Sequence, residues 1–142
     1  MPSNTVSEIM TREVVCFDED DGIIKIANAM KSKRISCVII KKGHSPVGII
    51  TERDMTYKVV AGEMDLYSTR ARDVMSSPIQ VIPPEVNIFY ASQLMKKTGV
   101  KRFPIVKNKK LVGIITQSDI IRFFNEAQRK FVIDSLRRSG IE

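Results

Sequence analysis

A chain of 142 residues, 43% of them apolar, is long enough for one domain or for two small halves sharing a core. It has no run of about 18 apolar residues, which excludes a spanning helix, and with two cysteines and one histidine a zinc site, which normally takes three or four ligands, is a weak reading. The opening "MPSNTVSEIM" lacks the basic start and apolar core of a signal peptide, so a cytoplasmic location is expected, and the net charge of +7 points to a solvated lysine-rich surface or an anionic partner.

In chain order, "EVVCF" predicts a short strand. Asp20 and Asp21 then precede a helix whose apolar residues, Ile23, Ile26, Ala27 and Met30, form one stripe. Two strands follow, "SCVIIK" and "PVGIIT", joined by the polar turn "KKGHS", in which His44 is expected to be exposed. "ERDMTYKVVAG" predicts a second helix, with Gly62 as its stop, and residues 63–69 read as a linker. The order then repeats. "PIQVIP" predicts a strand, and Ile88, Ala91, Leu94 and Met95 mark a helix. "FPIVK" and "LVGIIT" predict a hairpin across "KNKK", and "QSDIIRFFNEAQRKFVIDSLRR" a final helix. Cys16 and Cys37 lie in apolar runs and are expected to be buried and reduced.

Shifting the chain on itself by 65 residues makes the duplication explicit. Met10 falls on Met75, Thr11 on Ser76, Met30 on Met95, and "VGIITERD" (47–54) on "VGIITQSD" (112–119) without a gap. The chain is therefore two copies of a β-α-β-β-α unit of about 60 residues. A unit of that size buries too little alone, so the two are expected to pack with pseudo-twofold symmetry into one compact α+β module. The expected divisions are a first repeat over residues 1–66, a second over 67–125, and a C-terminal amphipathic helical extension over 126–142. The repeating methionines are expected to fill the junction of the halves.

Each copy places a threonine, Thr51 or Thr116, between a strand and a helix, with Asp54 or Asp119 three residues on. One reading is a capping box, worth about 1 kcal/mol of stability. The other uses the same geometry for a ligand: a helix N-terminus attracts phosphate, and a carboxylate one turn in can accept ribose hydroxyls. Gly48 and Gly113 would let a backbone or a ligand approach closely. The P-loop pattern is absent.

The paired "GIIT-x-x-D" blocks, the "A-x-A-M" and "A-x-x-L-M" helices, and "VKRFPIV" together resemble a tandem pair of cystathionine-β-synthase (CBS) domains, a Bateman module, over about residues 5 to 125. The resemblance implies a non-catalytic sensor. It would bind an adenosine-containing ligand between the repeats and act on a separate partner protein. AMP, ADP, ATP, S-adenosylmethionine and NAD all fit it. One implied site joins Thr51 and Asp54 to Lys101 and Arg102, with Ile79, Val81, Val100 and Phe103 around the base. The other joins Thr116 and Asp119 to Thr11, Ile35 and Ser36, with Val15 near the base. The second has Ser36 and Cys37 where the first has Lys101 and Arg102. It could draw added charge only from Arg34 or a partner chain, so the first is expected to hold a phosphorylated ligand more tightly.

The resemblance further implies a homodimer, a disc of two modules, with Met55, Tyr57, Val59 and Val60 as candidate contacts. The final helix carries Phe123, Phe124, Ala127, Phe131 and Leu136. These could pack on the module, on a second copy, or least plausibly on nucleic acid or a membrane surface. An assembly module with unused clefts and a nucleic-acid-binding protein are the alternative functions. An enzyme is disfavoured because no pair of side chains reads as nucleophile and base.

Overall fold

The computed structural model describes residues 4–140. A single 3-10 turn, Val6–Glu8, precedes β1 (Cys16–Asp18), α1 (Ile23–Lys33), β2 (Cys37–Lys42) and β3 (Ser45–Thr51). Then come α2 (Glu52–Asp54), a π-helical continuation (Met55–Val60) and the short α3 (Ala71–Val74). The second copy supplies α4 (Ile88–Thr98), β4 (Arg102–Lys107), β5 (Lys110–Thr116) and α5 (Gln117–Arg138). In the first sheet β1 runs parallel to β2, which pairs antiparallel with β3; the second sheet is the β4–β5 hairpin. No described helix is long and apolar enough to cross a membrane.

The strand expected over "PIQVIP" does not form as an element. Its remnant is one parallel bridge from Ile82 to Ile105, made by Ile82 N–H to Pro104 O (3.1 Å) and Val106 N–H to Ile82 O (3.0 Å). The 65-residue shift places Ile82 on Phe17, which pairs with Ile40 in the full strand β1. Pro83 and Pro84, directly after Ile82, carry no N–H, so the ladder cannot continue. The helix expected over residues 52–62 also departs from regularity. After one α-turn it widens, with Ala61 N–H reaching Thr56 O at 2.9 Å and Met64 N–H reaching Val59 O at 3.0 Å. Thr56, Tyr57, Val59 and Val60 are β-branched or aromatic and gain little from tight α-turns. Lys58 is tied sideways to Val74 O at 2.8 Å. No helix or strand occurs within residues 63–69, as the linker reading requires.

Two cores form, and each borrows from the other copy. Ile23, Ile26, Met30, Val38, Ile40 and Ile50 pack with Ala71 and Val74, which lie at the start of the second copy. Ile88, Ala91, Met95, Phe103, Ile105 and Ile115 pack with Val6, at the start of the first. The backbone bonds that make this exchange come in pairs related by the 65-residue shift. Val6 N–H to Val86 O (2.8 Å) matches Ala71 N–H to Asp21 O (2.8 Å), and Thr11 N–H to Ile114 O (2.9 Å) matches Ser76 N–H to Ile49 O (2.9 Å). Pseudo-twofold packing is thus built from reciprocal exchange of the leading segments.

The exchange explains the two strand glycines. A Cβ on Gly48 would lie 2.5 Å from Met75 Sδ, and one on Gly113 would lie 2.6 Å from Met10 Sδ and 2.9 Å from Thr11 O. What comes close is the other copy's leading segment. Met30 and Met95 are buried, while Met10 and Met75 are partly buried against the cores. Cys16 and Cys37 are free thiols, as expected, but half-buried. Burial pushes both thiols up from their ordinary value, against the opposing pull of Lys41 on Cys16 and of Arg102 on Cys37. His44 is exposed.

Candidate functional site

Strand ends fix the positions of the repeated threonines. Cys37 pairs with Thr51 across the first hairpin, and Arg102 pairs with Thr116 across the second. Both threonines cap the helix that follows. Thr51 Oγ1 accepts from Asp54 N at 3.2 Å, and Asp54 Oδ2 accepts from Thr51 N at 2.9 Å. Thr116 and Asp119 repeat both bonds at 3.2 and 2.9 Å. A further first-turn donor in each helix is taken by the facing strand start, with Glu52 N–H on Ser36 O (3.0 Å) and Gln117 N–H on Lys101 O (2.8 Å). The capping reading therefore holds in full. Much of the helix N-terminal attraction for anions is spent on protein acceptors, and charge for a ligand must come from side chains.

The carboxylates keep one oxygen outside the cap. Asp54 Oδ1 lies 3.2 Å from Lys58 Nζ, and Asp119 Oδ1 lies 3.6 Å from Arg122 Nη1. A ribose on either aspartate would have to share that oxygen with a cation.

Two cavities open beside the caps. The first, of about 570 Å³, brings Thr51 and Asp54 together with Lys101 and Arg102. The second, of about 460 Å³, brings Thr116 together with Thr11, Val15, Ile35 and Ser36. Both fall within the usual size range of small-molecule sites, about 300–1,000 Å³. In each, the capping threonine of one copy faces the strand start of the other.

Several residues expected around a base lie elsewhere. Phe103 is fully buried and packs in the second core, because alternation along β4 points its side chain inward. Ile79, Val81 and Val100 do not line the first cavity; Val81 is 40% exposed and Val100 packs at the edge of the second core. Asp119 is 8% exposed and does not line the second cavity; its ion-pair partner Arg122 does.

Other residues join the clefts without having been singled out. Ser76 lines the first cavity where Thr11 lines the second, and the 65-residue shift relates them. Glu52 and Arg53 in the first cleft, and Ser118 in the second, occupy the unspecified places of Thr-x-x-Asp. Arg122 stands one turn after Asp119. The repeat carried these signals except Arg122, which the 65-residue shift places on Tyr57.

The charge expectation is corrected at the second cleft. Arg34, Arg102 and Arg122 all line it, against one carboxylate, Glu13. The first cleft has Arg53, Lys101 and Arg102 against Glu52 and Asp54. Arg102 belongs to both because it starts β4 next to the pseudo-twofold axis, and its Nη2 reaches Ser36 Oγ across the halves at 3.3 Å. Its Nε is buried and has no hydrogen-bond acceptor among the described residues. A buried donor left so costs about 1–3 kcal/mol.

Comparison with known proteins gives a consistent picture. The family model for the CBS domain matches twice, over residues 6–61 and 71–126. A Methanopyrus kandleri protein, MK0525, is 37% identical over 124 residues, covering 86% of this chain and 63% of its own length. The chain thus spans less than two thirds of that relative. Among solved structures, a hexameric CBS-CP12 protein from bloom-forming cyanobacteria superposes with a TM-score of 0.77 at 29% identity, over 96% of this chain and 84% of its own. The CBS domain pair of protein MJ0100, solved in complex with 5′-methylthioadenosine and S-adenosyl-L-methionine, superposes with a TM-score of 0.75 at 21% identity, over 84% of this chain and 98% of its own.

Proposed function

This chain belongs to the CBS-domain family as a tandem pair, and from that premise we propose that it is a non-catalytic sensor of an adenosine-containing ligand. The observation that carries the reading is the composition of the two clefts. Each unites the capping threonine of one copy with the strand start of the other, so a ligand seated there touches both halves. A ligand with differential affinity for two arrangements of the halves shifts the population between them, which is what sensing requires. Three cationic side chains line each cleft and favour a phosphorylated adenosine such as AMP, ADP or ATP. The adenosyl compounds bound by the MJ0100 pair support the ligand class. The divisions at residues 66 and 125, a separate effector protein and a cytoplasmic location complete this reading. Self-association through Tyr57 and Val60 (61% and 72% exposed) is part of it too. Val59 drops out of that contact because it is buried in the first core.

Thermal unfolding of the pure protein with AMP, ADP, ATP, S-adenosylmethionine and NAD in turn tests the proposal. A ligand at 100 times its dissociation constant adds about 2.7 kcal/mol, a rise of roughly 8 °C for a chain of this size. The expected result is a rise with one of these ligands that shrinks in Asp54→Ala or Asp119→Ala. A second reading, an assembly module with unused clefts, is favoured by the internal pairing of Asp54 with Thr51 and Lys58. It predicts no rise with any ligand and loss of stability in both variants.

A further inference from the structure

We propose that Arg102 couples the two clefts, so that an anionic ligand in one weakens binding of an anionic ligand in the other. The inference rests on the cleft reading above and goes on to its regulation. Three observations carry it. Arg102 lines both cavities. Its guanidinium is held between them by neutral groups, the Ser36 hydroxyl at 3.3 Å and the Cys37 thiol, while its buried Nε has no acceptor among the described residues. The 65-residue shift places Cys37 opposite it, so the axis carries one guanidinium where strict symmetry would give two or none.

A guanidinium directs its donors in a rigid planar fork. A phosphate arriving in either cleft is a far better acceptor than a serine hydroxyl, and it draws the fork towards itself. The other cleft then loses a cation it had in the empty protein. Each cleft alone can use Arg102, and both together cannot use it fully. By linkage the weakening is reciprocal. A ligand without a phosphate makes no such claim on the fork, so its two binding events stay independent.

Isothermal titration of the full chain tests this with two probes, AMP and 5′-methylthioadenosine. Thr11 and Ser76 are related positions, each lining one cleft. Ser76→Trp fills the first cleft and Thr11→Trp fills the second. The product of the two single-cleft association constants is compared with the two-site product of the unmodified chain. For AMP the single-cleft product is expected to exceed the two-site product by about tenfold, a typical coupling factor. For 5′-methylthioadenosine the products are expected to agree, which also shows that each tryptophan leaves the far cleft undisturbed. In Arg102→Gln the excess with AMP disappears. Equal products with AMP in the unmodified chain would overturn the coupling and leave the cleft reading standing. Failure of AMP, and of ADP, ATP, S-adenosylmethionine and NAD with it, to bind the unmodified chain would overturn both.

Discussion

Arg102 illustrates how one side chain can carry unequal duties in a duplicated chain. The threonines and aspartates repeat, and their hydrogen bonds repeat to within the same distances, 2.9 and 3.2 Å. The strand starts do not repeat: one copy has Ser36 and Cys37, the other Lys101 and Arg102. Thr116→Ala removes a cap whose helix is long, and the expected loss is about 1 kcal/mol in urea unfolding. The glycines should separate by what faces them. The nearest atoms that Gly48→Ala meets belong to the flexible Met75 side chain, whereas Gly113→Ala also meets the Thr11 carbonyl at 2.9 Å. Both are expected to destabilise, Gly113→Ala by about 1–3 kcal/mol and by more than Gly48→Ala. No loss in either variant in the same denaturation series would contradict the close approach of the leading segments. At Asp21, an N–H of Asp18 and the charge of Lys25 hold the carboxyl below its ordinary value. A depressed folded value means that the stability it contributes is present above the unfolded value, about 3.9. It is lost as pH falls further through the folded value. Asp21→Asn should therefore lower stability at neutral pH, while the two proteins converge below about pH 4, so that the variant's acid limb is the flatter.

At the scale of elements, the hairpins, α1, α4 and the caps were legible because hydrophobic period and polar turns agree there. Three features were not. The strand at "PIQVIP" has strand-like residues, but two prolines leave it a single bridge. The π-helical run after α2 combines β-branched and aromatic residues with a tether from Lys58 to Val74, a contact across 16 residues that the local pattern does not show. Phe103 was expected in a cleft, and the alternation of β4 sends it into the core. The final helix divides in two. Phe123 and Phe124 pack with Phe89 of α4, with ring centroids 5.2–6.4 Å apart. Beyond them Phe131, Val132, Ile133 and Leu136 are 38–65% exposed, so packing on the module ends early in the helix.

For the whole molecule, the duplication read from "VGIITERD" and "VGIITQSD" carried the fold, the pseudo-twofold axis and the family. The groupings implied by the family resemblance, Thr51, Asp54, Lys101 and Arg102 on one side and Thr116, Thr11, Val15, Ile35 and Ser36 on the other, each line one cavity. What the duplication could not carry was the sharing of Arg102 and the entry of Arg122, because both arise where the copies meet and differ. The central claim is that the clefts between the copies are the ligand sites. The most direct measurement is an amide NMR titration of the ¹⁵N-labelled chain with AMP. Shifts are expected at residues 51–54 and 101–102, and at residues 116–119 with 35–36. The competing outcome is a response confined to the hairpin turns, where Lys41, His44 and Lys110 line a separate basic cavity of about 470 Å³, with the clefts silent; that result would contradict the account.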